Sequence, residues 1–167
     1  MTRKSTYRND EILIVENNSE KEETFEYYRK LPDRYPKARV LTWEKEFNYS
    51  AINNFAAKEA KGEYLIFTDS DDYVEPDMVE KLLDGIGESD IAICGFHHHY
   101  QGRDVIRIPE VPGQNGEENF LALYGQGFLN MPWNKLYKRE LAGRFDESLS
   151  LGEDLLFNLD YLRKTDG

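Results

Sequence analysis

The segment Tyr64-Leu-Ile-Phe-Thr-Asp-Ser-Asp-Asp-Tyr-Val-Glu-Pro-Asp77 constrains this chain more than any other. Tyr64 to Phe67 have strong strand character, and the run ends abruptly in Asp69, Asp71 and Asp72. A short apolar run bounded in this way reads as a buried strand, and the carboxyl end of such a strand is where open α/β sheets bind ligands. No Lys or Arg lies within this segment, so the three acids repel one another unless a cation joins them. Hard oxygen donors spaced Asp-x-Asp suit Mg²⁺ or Mn²⁺, ions that keep several waters and take substrate phosphates as further ligands. The segment therefore predicts a metal-assisted nucleotide or phosphate site.

Strand and helix signals alternate around it, the pattern of an α/β sheet. Glu11 to Glu16 reads as a buried strand, and Ser19 with Glu22 reads as the capping box of a helix that Pro32 stops. A strand over Arg39 to Trp43, a helix over Ser50 to Lys61 closed by Gly62, and the Tyr64 to Thr68 strand follow. Pro76 suits the first position of the next helix, whose apolar face holds Met78, Val79, Leu82 and Leu83 and which Gly85 ends. In the second half, Asp90 to Phe96 reads as a strand and Arg103 to Ile108 as its antiparallel return across Gln101-Gly102. A short helix over Glu117 to Tyr124, an extended segment over Trp133 to Tyr137 and a helix over Gly152 to Lys164 complete the chain, the last with Leu155, Leu156, Leu159 and Leu162 toward the core. There is no internal repeat or low-complexity linker, so residues 1–167 read as a single domain.

Composition narrows the function classes. Of 167 residues, 40% are hydrophobic, with 11 Tyr and 9 Phe, enough to build a packed core. The net charge of −11 argues against nucleic acid as a partner, since no run of Lys or Arg could follow a phosphate backbone. The single cysteine, Cys94, lies in an apolar run and reads as an inert buried thiol. No apolar run reaches the roughly 18 residues that span a bilayer, and no signal peptide is visible. A cytoplasmic protein is expected, with peripheral contact to the inner face of a membrane left open. His97-His98-His99 invites a metal reading, but strand alternation lets only His97 and His99 converge.

A second acidic pair, Glu153-Asp154, follows Gly152 at the start of the last helix. Together with Ile12-Leu-Ile-Val-Glu-Asn-Asn-Ser19, Phe67 to Asp77, Pro132-Trp-Asn-Lys-Leu-Tyr137 and Phe145 to Asp154, it resembles the inverting family 2 glycosyltransferases with the GT-A fold. Asn53 and Ala60-Lys-Gly-Glu-Tyr64 match the approach to the metal strand. The resemblance implies a GT-A-like, Rossmann-related sheet, mixed and mostly parallel, flanked by helices. It assigns residues 1–85 to nucleotide and metal binding and 86–167 to the acceptor and the catalytic base. It implies Mn²⁺ or Mg²⁺ on Asp71 and Asp69, and a donor held by Glu16, Asn17, Asn53, Asp69 and Ser70. Asp154 would be the catalytic base, supported by Glu153, and Trp133 and Asn134 would meet the acceptor. The reaction implied is transfer from a nucleotide-diphosphate sugar, UDP-linked, to a glycan or lipid-linked glycan in surface polysaccharide synthesis. Plainer readings stand beside these roles: acids favour a helix's first turn in any case, Asp69 to Asp72 reads also as a solvated turn, and Trp133 also as core.

The chain departs from the family pattern at its start, where the usual first strand and helix have no counterpart. That strand lies between the Ile12–Val15 and Tyr64–Thr68 strands, so either those two pair directly or another chain, as in a homodimer, fills the gap. Glu16 and Asn17 stand where the family often has two Asp, and Ile52 stands in place of an Arg. Two alternatives follow: a non-catalytic remnant that has lost donor binding, and an aspartyl-nucleophile phosphatase built on Asp69-x-Asp71. Tyr73 argues against the phosphatase, which prefers Thr or Val there.

Overall fold

Strands and helices alternate through the first half as the sequence pattern predicts. A computed structural model describes residues 5–100, 102–113 and 115–165. In chain order the elements are β1 (Ile12–Glu16), α1 (Glu22–Arg34), β2 (Ala38–Thr42), α2 (Tyr49–Glu59), β3 (Tyr64–Leu65), α3 (Met78–Ile86), β4 (Ile91–Ile93), β5 (Phe96–Tyr100), β6 (Arg103–Arg107), α4 (Gly116–Gly125), β7 (Lys135–Lys138) and α5 (Glu153–Leu162).

Several boundaries differ from the sequence expectation, each for a local reason. The capping box is not formed: Lys21 is the N-cap of α1 and offers no side-chain bond, while the Ser19 N–H donates to Glu16 Oε1 at 2.6 Å. Pro32 does not stop α1, because so near the end it removes only one hydrogen bond, and buried Leu31 pins the last turn. α2 starts one residue early, where Asn48 Oδ1 accepts from the Ala51 N–H at 2.8 Å. Pro76 lies in the turn before α3, whose N-cap is Asp77, and the helix passes Gly85 to end at Gly87. On α5 the buried residues are Phe157, Asn158 and Tyr161, and Leu156 is exposed.

The expected strand from Asp90 to Phe96 splits in two. β4 pairs with β7, whereas β5 and β6 form a separate hairpin with Phe96 opposite Arg107 and Tyr100 opposite Arg103. Gly95 sits at the break, and a Cβ there would collide with the Arg107 carbonyl oxygen. The missing side chain is what lets β6 close over the junction. Gln101, part of the expected turn, lies outside the described residues.

The strands divide into three sheets: β1 and β2 parallel, β3 and β4 antiparallel on either side of β7, and the antiparallel β5–β6 hairpin, so among the described residues antiparallel pairing outweighs the mostly parallel pattern that the resemblance implied. Among the described residues β1 and β3 do not pair, so direct closure of the two strands is not the solution adopted. The Glu11 carboxylate links their starts instead, accepting the Lys61 and Gly62 N–H groups. Elsewhere, a pocket of about 520 Å³ lies between Trp43, Phe55 on α2, Leu65 on β3 and the segment from Arg139 to Glu147.

The main core is aromatic. Phe67 meets Tyr137, Phe145 and Phe157 edge-on at 5.2–5.9 Å, and Phe145 stacks on Phe157 at 4.1 Å. Phe67 lies two residues before Asp69, and Phe157 one helical turn after Asp154. This cluster therefore ties the end of the β3 segment to the start of α5. Leu82, Ile86 and Leu136 form a smaller core between α3 and β7.

Candidate active site

The acids after β3 and the acids opening α5 act on one another. Asp69 is half-buried, and its carboxyl is raised above the usual range by burial, then by the charges of Asp72 and Asp71. Asp72 is raised too, by burial and by Asp71. Asp154 is pushed up to about 6, first by burial, then by Glu153 and Asp69. The Tyr49 hydroxyl and Lys135 pull the other way. Glu153 Oε2 and Asp154 Oδ1 are buried without a hydrogen-bond partner. Orphaned carboxylate oxygens in a ring of acids are costly to a closed fold and mark a place where a ligand proton or cation belongs.

Local structure sets this geometry. Gly152, at φ 83°, takes a left-handed turn that L side chains rarely adopt, and so starts α5 abruptly with Glu153 and Asp154 in its first turn. α5 is bolted down by buried Asn158, whose Oδ1 accepts from the Tyr137 hydroxyl at 2.6 Å and whose Nδ2 donates to Leu129 O at 2.9 Å. α2 brings Tyr49 and Asn53, and Asn53 Nδ2 donates to Tyr49 O at 3.1 Å. Burial, then Asp154 and Asp69, raises the Tyr49 hydroxyl, which keeps it a proton donor.

Two residues of the site escaped the sequence reading. Tyr49 carries no local signal, since only the packing of α2 on Phe145 brings it to Asp154. Lys135 is wholly buried, and its ammonium donates to Phe128 O at 2.6 Å, to Asn134 Oδ1 at 2.8 Å and to Met131 O. Burial pulls it down to about 7, against the opposing effects of Cys94 and Asp154. Three acceptors match the three N–H bonds of an ammonium, so the hydrogen-bond geometry suits the charged form. A lysine inside the Trp133-Asn134-Lys135 segment was the available clue.

The expected acceptor and donor residues divide. Trp133 is half-buried, with Phe96 edge-on at 4.9 Å. Asn134, expected to meet the acceptor, is 1% exposed, and its side chain is occupied by Cys94 O at 3.0 Å and Lys135 Nζ, so it braces β4. Ser70 and Asp71 are exposed beside Asp69. Glu16 is buried with its carboxylate on the Ser19 N–H, and Asn17 Nδ2 donates to Trp43 O and Lys45 O, both at 2.9 Å, so Asn17 holds the ends of β1 and β2 together. His97 and His99 share a face at 6.5 Å, but among the described residues no three His, Cys, Asp or Glu converge as a preformed metal cage. No helix among them is long and apolar enough to cross a membrane.

Comparison with known proteins gives this site a context. Residues 2–145 match the family model for glycosyl transferase family 2. The chain belongs to that family. The matched span includes Asp69 to Asp72 and ends before Glu153 and Asp154. Among family relatives, the putative glycosyltransferase EpsH of Bacillus subtilis is 30% identical over 83% of this chain and 41% of its own length. The glycosyltransferase GlyG of Streptococcus pneumoniae is 31% identical over 89% of this chain and 56% of its own. The O-antigen biosynthesis protein RfbC of Myxococcus xanthus is 39% identical over 53% of this chain and 7% of its own. The chain thus spans about half or less of the length of most such relatives. The crystal structure of S. aureus TarS 1-349 superposes with a TM-score of 0.75 at 24% identity, over 93% of this chain and 47% of that one. A TarS complex with UDP-GlcNAc superposes with a TM-score of 0.72. These likenesses place the fold in the GT-A class, as the motifs implied. Family membership also decides against the aspartyl-phosphatase alternative.

Proposed function

We propose that this chain carries the catalytic site of a metal-dependent inverting glycosyltransferase. The donor is a nucleotide-diphosphate sugar, UDP-linked, and the acceptor is a hydroxyl of a glycan or lipid-linked glycan in surface polysaccharide synthesis. One observation carries the reading: the aromatic cluster brings Asp69 and Asp154 into one electrostatic site that leaves two buried carboxylate oxygens unpartnered. The UDP-GlcNAc bound by TarS and the O-antigen role in the name of RfbC support the donor and the pathway class.

The residues fit a divalent ion. Mutual repulsion of Asp69, Asp71 and Asp72 is relieved by a cation, and Mg²⁺ or Mn²⁺ needs only one or two carboxylates when diphosphate and water complete its shell. Asp71 and Asp69 would hold it, and bound there it would offset charge on the departing nucleoside diphosphate. Asp154 takes the proton of the acceptor hydroxyl, because an alcohol is a poor nucleophile at neutral pH. Oδ1 is its buried oxygen without a hydrogen-bond partner, and so the one free to take that proton. Glu153 raises the basicity of Asp154, and the Tyr49 hydroxyl opposes that rise. A single in-line displacement inverts the anomeric centre. Asn53 and Ser70 stand on the donor side by their nearness to Tyr49 and Asp69, and Trp133 presents an indole to the acceptor.

Calorimetric titration with UDP, with and without Mn²⁺, tests this reading. Metal-dependent binding that Asp71→Ala abolishes is the expected result. No binding in either condition would overturn it in favour of a non-catalytic family member.

A further inference from the structure

Trp133 is not an isolated ring. Phe96, at the start of β5, meets it edge-on at 4.9 Å and meets Phe128 at 5.5 Å, which anchors the β5–β6 hairpin to the acceptor side of the site. Side chains alternate along a strand, so Phe96, His98 and Tyr100 share one face. The His98 and Tyr100 rings lie 6.1 Å apart on it. Their cross-strand partners on the same face are Arg107, Val105 and Arg103. The opposite face carries His97, His99, Asp104 and Ile106, and there His99 pairs with Asp104.

Alternation therefore sorts charge as well as rings. The hairpin's one acid, Asp104, is on the far face, while both arginines are on the aromatic face. In a chain of net charge −11 this is a locally cationic strip. It is also accessible: Tyr100 is 62% exposed and Val105 49%. Arg107 is oriented by its bond to Gln126 O at 3.0 Å, which ties the strip to the end of α4.

We propose that the Phe96–His98–Tyr100 face of the hairpin, with Arg103 and Arg107, extends the acceptor site from Trp133 into a binding strip for an acidic saccharide chain. The proposal rests on the transferase reading of the site. Rings at alternate strand positions recur about every 6.8 Å, a ladder on which the apolar faces of successive sugars can lie. The arginines match carboxylate or phosphate groups on those sugars. A lipid surface fits less well, because the apolar residues Val105 and Ile106 are on opposite faces and present no common plane.

The test uses an oligogalacturonate as the acidic probe, maltohexaose as its neutral counterpart, and phosphatidylglycerol vesicles, each titrated against the whole chain. The acidic oligosaccharide is expected to bind, to weaken as salt rises, and to lose about tenfold in affinity in Tyr100→Ala and in Arg103→Glu, equivalent to ~1.4 kcal/mol each. Ile106→Ser, on the far face, is expected to change nothing. Both strip variants alter exposed side chains, and an unchanged melting temperature confirms that they fold. Equal affinity in wild type and strip variants overturns the proposal. So does failure of the wild type to bind the acidic probe, or vesicle binding that the strip variants abolish while no saccharide binds. UDP binding with Mn²⁺ is measured on the same samples. Its loss in the wild type strikes the transferase reading, whereas strip variants that keep UDP binding and lose the saccharide isolate the strip.

Discussion

Asp154 carries two opposed demands, and both can be read from its surroundings. As the proposed base it must be ionised, yet burial and the charges of Glu153 and Asp69 push its carboxyl from 3.8 up to about 6. Transfer is therefore expected to rise with pH through about 6 and then level off, as a pH profile of kcat/KM would show. Asp154→Asn is expected to reduce transfer by about 100-fold or more while sparing UDP binding, and retained turnover would remove Asp154 from its role. The stability effect has the opposite sign. A carboxyl raised in the folded state binds a proton between 3.8 and about 6 that the unfolded chain has released, so the group costs stability as pH rises through that window. In metal-free buffer, Asp154→Asn should accordingly raise the melting temperature above pH 6 and leave it unchanged below 3.8. The residue types of this site were legible in the sequence, because acids after a buried strand and acids in a helix's first turn are local patterns. Tyr49 and Lys135 were not, since each reaches the site only by packing.

At the scale of elements, α5 is held by rings and by one buried amide. Phe157 is 2% exposed and touches Phe67, Tyr137 and Phe145. Phe157→Ala is expected to cost about 3–5 kcal/mol of stability, measured by denaturant unfolding, and to impair transfer because it loosens the segment that carries Asp154. A loss well under 1 kcal/mol would show that the cluster does not clamp α5. The order of strands and helices was legible because each apolar run has a length and a periodicity of its own. Which strand pairs with which was not. β4 and β5 read as one strand until the carbonyl of Arg107, distant in sequence, required a glycine at position 95. Asn134 read as an acceptor contact because of the motif it stands in. Its burial follows from the carbonyl of Cys94 and the ammonium of Lys135, which close on it only in the fold.

For the whole molecule, the β1 and β3 edges that face no other strand among the described residues matter most. Leu13, Ile14 and Val15 are only half-buried, and Ile12 is 40% exposed. Unpaired apolar strand edges recruit further strands, so the chain should self-associate in a concentration-dependent way in sedimentation experiments. A second copy is the partner expected there. Lys at Leu13 and at Ile14 should shift the equilibrium toward monomer, and a strictly monomeric wild type would refute the idea. The sequence by itself determined that this is an α/β chain of glycosyl transferase family 2 with acids at two helix or strand ends, because those signals depend on neighbours a few residues apart. Only the tertiary structure decided that the two acidic segments act on one another, that β1 and β3 stay apart, and that Phe96 at the start of the hairpin meets Trp133. Those outcomes depend on rings, carbonyls and charges that meet across long stretches of chain, where no local pattern carries the information.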